Sequence, residues 1–210
     1  MTAPKAKSNR PGTKNKSNHG SDRREEILAA AVRRFSKDGY QKASIAAIAN
    51  DVGLSQPGLL HYFPTKVDFL LAILERRDLE SAPILRGTLE WRALLQALVD
   101  AVQRNTQNPD VVKAFAILNA ESLTVEHPAQ AWFLERALNL RANIAASLQR
   151  GVETKELRAD LDCHSIAAEL IGFMDGLQMF WLRAPDHIDM GEAFSAYIER
   201  LIQSITAREK

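Results

Sequence analysis

From Asp22 onward, apolar residues recur at intervals of three and four, the period that lines up side chains along one face of an α-helix. Ile27, Ala30, Ala31 and Phe35 form the first such stripe. The alternation that a half-buried strand needs survives for only a few residues anywhere, and no internal repeat appears. An all-α protein is therefore predicted. Ser21 or Asp22 is placed to cap the first helix, Glu25 and Glu26 suit its first turn, and Gly39 ends it. A second short helix is expected from Ser44 to Gly53, and a third over about 56–62, closed by Pro64 because the residue before a proline avoids the α region. Longer helices are expected near 66–80, 87–106, 109–124, 128–152, 162–183 and 189–207, separated by Pro83 with Gly87, Asn108-Pro109, His127-Pro128, Gly151 with the polar residues after it, and Pro185. This reading gives about nine helices in four segments: an arm at 1–21, a small head at 22–65, a linking helix at 66–80 and a larger bundle at 81–210.

The formal net charge is +1, but residues 1–21 carry +5 with no acid, residues 22–80 balance to zero and the remainder carries −4. The first segment is rich in Ser, Asn, Gly and Pro and has no large apolar residue after Met1, so a disordered basic arm is expected there. Its charge suits phosphate contact and equally suits a plain solvated tail. No apolar run approaches the roughly 18–20 residues that span a bilayer. The N-terminal lysines lack the apolar core of a secretory signal behind them. A lone cysteine, Cys163, excludes an internal disulfide framework and fits a reducing compartment. The expectation is a cytoplasmic protein with no membrane partner.

The stretch VGLSQPGLLHYFPTK, Val52 to Lys66, carries the most chemistry. Gly53-Leu54-Ser55 between two short helices has the form of a helix-turn-helix: a glycine able to take positive φ, an apolar plug, and a good N-cap. With Ser55 as cap, Gln56 and Pro57 are the first helical positions, where a missing N–H costs nothing. Gly58 then leaves the backbone bare in the exposed first turn. Leu59 and Phe63 face inward, while Gln56, Leu60, His61 and Tyr62 are left for solvent or DNA. Glutamine can bond adenine in bidentate fashion, and Leu60 or Pro57 can meet a thymine methyl. Tyr62, His61 and Lys66 can reach phosphates.

Residues 23–74 resemble the DNA-binding head of the tetracycline-repressor (TetR) family of bacterial transcription regulators. The resemblance is carried by Ile27, Leu28, Ala30, Ala31, Phe35, Gly39, Tyr40, Ser44, Ile45, Ile48, Ala49, Val52, Gly53, Ser55, Leu59, His61, Tyr62, Phe63, Lys66 and Leu70. It implies a three-helix head with the helix-turn-helix at about 44–63, an effector-binding all-α C-terminal domain, and a homodimer joined by its last two helices. It places Ser44 at the position that caps the second helix and meets a phosphate. Tyr62 and Lys66 match phosphate-contacting positions, and Gln56, Pro57 and Gly58 the base-reading end. Two departures stand out: Leu60 replaces a tyrosine that often contacts DNA, and Pro57 with Gly58 removes polar side chains from the reading end.

In the C-terminal part, Ile166, Leu170, Phe173, Met174, Leu177, Phe180 and Trp181 form one broad apolar face, and Gly172 and Gly176 bare a strip of backbone. The last helix repeats the pattern with Phe194, Tyr197, Ile198, Leu201, Ile202 and Ile205. Gly172, Gly176, Phe194, Tyr197, Ile198, Leu201 and Ile205 are the candidate dimer interface; an intrachain core would use the same stripes. Candidate effector-pocket residues are Phe115, Leu118, Trp132, Phe133, Phe173, Met174, Leu177 and Trp181, each also suited to plain core. Glu121, Asn119 and Gln178 are the polar groups able to orient a small, mainly hydrophobic ligand. Cys163-His164, His127 and His187 lack the companions of a metal or nucleophile site, so no cofactor or metal is expected. No phosphate-cradling glycine loop or hydrolase motif is present, and no enzymatic activity is expected. The reading is a ligand-responsive repressor that binds double-stranded DNA; the alternative is a small-molecule-binding helical dimer with little or no specific DNA binding.

Overall fold

The computed structural model describes the backbone of residues 15–207, and the side chains from Ser21 onward apart from Glu80. The described residues form ten helices: α1 Asn15–Lys42, α2 Ile45–Asp51, α3 Gln56–Leu60, α4 Lys66–Glu80, α5 Ala82–Leu85, α6 Trp91–Thr106, α7 Pro109–Glu121, α8 Gln130–Glu153, α9 Cys163–Arg183 and α10 Met190–Ile205. Among the described residues the only β pairing is an isolated bridge between Leu157 and Thr206. The fold is all-α, as the periodicity requires, and no helix of the described residues is long and apolar enough to cross a membrane.

Two local readings need correction. α1 starts at Asn15 and runs through Ser21 and Asp22, so neither caps it, and residues 15–21 of the expected arm are helical. Polar residues are tolerated there because a helix started downstream propagates at little cost per residue. The rest of the arm, 1–14, lies outside the described residues. Gly39 does end the first helical run as expected: at φ 71° and ψ 176° it leaves the helical path, and the residues to Lys42 form a separate short turn beyond the kink. Pro83 opens a short extra helix, α5, instead of only marking a gap, since proline fits the first turn.

α4 is fixed at its start by a reciprocal cap. Thr65 accepts from the Asp68 N–H, and Asp68 accepts from the Thr65 N–H at 2.7 Å. The buried side chains form two clusters. The first joins α1–α4 with Ala114 and Leu118 of α7, Ala129 and Phe133. The second fills the body among α5–α10 around Trp91, Leu94, Leu148, Leu170 and Phe194. The head is thus not a separate bead: the end of α7 is built into its core, and α1 packs along α7.

Candidate nucleic-acid interface and effector site

Ser44 has extended backbone and its Oγ accepts from the Ala47 N–H at 3.4 Å, starting α2. Gly53, at φ 65°, turns the chain after α2, and half-buried Leu54 follows. Ser55 Oγ then accepts from the Gly58 N–H at 3.2 Å, with Pro57 in the first turn of α3. A Cβ on Gly58 would lie 3.2 Å from that same oxygen, so glycine here also leaves room for the cap. Leu59 and Phe63 are fully buried, with Phe63 stacked on Phe69 at 4.5 Å. Gln56, Pro57 and His61 are exposed, while Leu60 and Tyr62 are half-buried. The result is a five-residue helix whose rear is anchored and whose tip is free. It stops at Leu60, short of the expected Tyr62.

The helix-turn-helix is tied to α1 by a guanidinium–carboxylate fork. Arg34 Nε and Nη2 donate to the two oxygens of Asp51, both at 2.6 Å. That hydrogen bonding holds the Asp51 carboxyl below the usual carboxylate range. Lys66 is less free than the sequence suggests. Its Nζ donates to the Gln41 carbonyl at 3.1 Å, lies 4.6 Å from the Tyr40 ring centroid, and is pushed down by burial.

The predicted effector residues do not form one wall. Leu118, Trp132 and Phe133 belong with the head-side cluster, where Phe115, Trp132 and Phe133 meet edge to face. Phe173 stacks on Tyr197 at 4.0 Å, away from that trio and toward α10. Met174 and Leu177 pack on the body cluster, and Gln178 is buried. Trp181 borders an open groove of about 740 Å³ between the end of α6 and the α9–α10 turn. Glu121, a candidate ligand anchor, is engaged at a junction: its Oε2 accepts from the Tyr40 N–H at 2.7 Å, joining α7 to the break in α1. The missing Cβ of Gly39 makes this possible, since it would lie 2.5 Å from Glu121 Oε1.

Around this junction Tyr40 also meets His127 edge to face at 5.1 Å. His127 is buried, its Nδ1 accepts from the Ala129 N–H at 3.2 Å, and its Nε2 has no hydrogen-bond partner among the described residues. Burial holds its pKa down, partly offset by Glu121. On the dimer question, Phe194, Ile198 and Ile205 are sealed inside one protomer's core and cannot supply an outer surface. Gly172 and Gly176 are exposed, with nothing within 4 Å of the position of an added Cβ, and Tyr197 and Leu201 are half-buried.

Sequence reasoning missed a polar cluster beside the aromatic trio. Arg136 Nε bonds Asp78 Oδ1 at 2.8 Å, and its guanidinium lies 5.3 Å from the Phe115 centroid. The Arg77 guanidinium lies 4.5 Å from the same centroid, and Arg77 donates to Asn105 Oδ1. Asp175 of α9 feels both arginines. The available signal was an acid set in the most apolar helix of the chain.

Residues 27–73 match the model of bacterial regulatory proteins of the tetR family, and residues 91–206 match that of the BetI-type transcriptional repressor C-terminal domain. The chain belongs to the TetR family. It is 26% identical over 191 residues to the HTH-type transcriptional regulator AcrR of Shigella flexneri, covering 86% of this chain and 87% of AcrR. A TetR transcriptional regulator from Chloroflexus aurantiacus has the same fold, with a TM-score of 0.74 at 21% identity over 91% of this chain and all of that one. SmeT of Stenotrophomonas maltophilia, in its triclosan complex, gives a TM-score of 0.76 at 17% identity over 88% of this chain and 92% of SmeT. As a TetR-family member the protein is a DNA-binding transcriptional regulator, and the Ser44–Tyr62 geometry is its helix-turn-helix.

Proposed function

We propose that this protein is a repressor that binds a palindromic operator as a homodimer and releases it when a small, largely apolar effector occupies the body. The observation that carries the reading is α3, held at its rear by Leu59 and Phe63 with Gln56, Pro57 and His61 exposed at its tip. In this reading Gln56 reads base edges and Pro57 or Leu60 touches apolar base surface, while the bare Gly58 backbone lets the duplex approach. Ser44, Ser55, His61, Tyr62 and Lys66 sit toward phosphates. Held by Gln41 and Tyr40, Lys66 serves as a fixed charge rather than a reaching one.

Exposed apolar side chains support dimerisation. Met179 and Phe180 of α9 are 39% and 58% exposed and share the outer stripe with Gly172 and Gly176, while Leu134 and Leu138 of α8 are 61% and 56% exposed. Tyr197 and Leu201 of α10 complete this proposed interface. Two heads so joined would read half-sites about one DNA turn, roughly 34–36 Å, apart. The effector acts only through its differential affinity for the two head arrangements. The Glu121–Tyr40 contact gives α7, which carries Phe115, a direct grip on the head. The site of action is the cytoplasm. SmeT's complex with triclosan supports a small-molecule effector here. The test is a gel shift on duplex from upstream of the protein's own gene at several salt concentrations. Specific retardation that weakens steeply with salt is expected. Equal binding to unrelated duplex would instead favour a ligand-binding dimer without an operator.

A further inference from the structure

We propose that His127 is a proton-operated latch between body and head: its neutral ring keeps the junction of α1 with α7 closed for operator binding, and protonation in mildly acidic solution opens it. This rests on the reading of α3 as the operator-binding tip and adds a regulatory input to it.

His127 stands in the turn that joins α7 to α8, where its N–H donates to the Thr124 carbonyl at 3.3 Å and its carbonyl accepts from the Gln130 N–H at 2.9 Å. The residue is 5% exposed. The Ala129 N–H donates to Nδ1 at 3.2 Å, so the neutral ring carries its proton on Nε2, which has no partner among the described residues. An imidazolium carries a proton on both nitrogens. Protonation therefore turns Nδ1 from acceptor into donor, sets it against the Ala129 N–H, and leaves a buried charge with neither donor satisfied. A charged ring cannot keep this seat.

What the ring supports is the head. It meets Tyr40 edge to face at 5.1 Å. The Tyr40 N–H is held by Glu121 at the end of α7, and the Tyr40 ring carries the Lys66 ammonium, which also donates to the Gln41 carbonyl. The groups around His127 are thus Tyr40 of α1, with Lys66 of α4 seated on that ring, Glu121 of α7, and the Ala129 N–H on the α8 side, while its chain neighbour Glu126 is exposed. Glu121 is the charge among them that favours an imidazolium, but turning toward it means leaving the Tyr40 N–H. Whether the ring moves out or the carboxylate moves in, Tyr40 loses a contact and Lys66 loses its brace. Because the closed seat disfavours the proton, acid shifts the junction toward the open form, by up to about tenfold per pH unit below the ordinary histidine value of about 6.5.

The test is fluorescence anisotropy on a duplex selected from random sequence by the full chain near pH 7.5. The parent and His127→Asn are titrated between about pH 7.5 and 5.5 at fixed ionic strength, with circular dichroism to show both folded at each pH. Asparagine offers Oδ1 to the Ala129 N–H and takes no proton. His61, exposed at the tip, titrates in both chains, so the ratio of the two affinities isolates His127. That ratio, parent over variant, is expected to fall at least about threefold from pH 7.5 to 5.5. A smaller change, or a rise, overturns the latch and leaves the operator reading standing. If the full chain selects no duplex, both fall. Should His127→Asn not fold, His127→Phe, which is equally unable to take the proton, replaces it in the same ratio.

Discussion

Replacing Gly39 by alanine should cost more than its own backbone requires, because the new methyl must also dislodge Glu121. At φ 71° and ψ 176°, Gly39 occupies a region essentially reserved for glycine, so alanine pays about 1–3 kcal/mol in strain. Its Cβ would stand 2.5 Å from Glu121 Oε1, while Oε2 holds the Tyr40 N–H at 2.7 Å. The carboxylate can swing away, but doing so forfeits a hydrogen bond to a charged group, about 1.5–3 kcal/mol. Gly39→Ala should therefore destabilise by about 3–5 kcal/mol and Glu121→Ala alone by about 2 kcal/mol. In the Glu121→Ala background the clash is gone, and Gly39→Ala should cost only the strain, about 1–3 kcal/mol. The assay is urea unfolding of the four proteins, followed by circular dichroism. Costs that simply add, with the double variant about 5–7 kcal/mol below the parent, would show that Gly39 and Glu121 do not act on each other.

Other outcomes follow from the same geometry. Ser55→Ala removes the cap on the Gly58 N–H and should cost about 1 kcal/mol while weakening operator binding, read by denaturation and fluorescence anisotropy. Lys66→Ala should weaken binding to all duplexes alike and flatten the salt dependence, and should also lower the melting temperature because the ammonium braces Gln41 and Tyr40. His127 has a pKa depressed by burial, so the unfolded chain binds its proton first. Stability should be full above about pH 6.5 and fall as pH drops toward the folded-state value, a slope that His127→Phe should flatten in unfolding measurements across pH. Deleting residues 1–14 should reduce the salt slope of DNA binding if the basic arm reaches phosphate, and an unchanged slope would remove the arm from the interface.

What was legible in the sequence was local. Ser44, Gly53, Ser55 and Pro57 act on neighbours within three or four residues, and each does what its chemistry predicts. What escaped was set by distant partners. Glu121 reads like a polar pocket group, but its partner is 81 residues away at a backbone N–H that only the break at Gly39 exposes. Phe194, Ile198 and Ile205 look like interface residues because the stripe on α10 is wide, yet most of that width is needed to close the protomer's own core. Asp175 reads in sequence as a lone break in an apolar helix, because the arginines whose charge reaches it, Arg136 and Arg77, come from α8 and α4.

The central claim, that the tip of α3 reads DNA and does so twice per dimer, is tested most directly by selecting binding sites from random duplexes with the parent chain and with Gln56→Ala. The account predicts a two-fold symmetric consensus for the parent, altered by Gln56→Ala at matching positions in both halves. A consensus without symmetry, or one that Gln56→Ala leaves unchanged base for base, would contradict it.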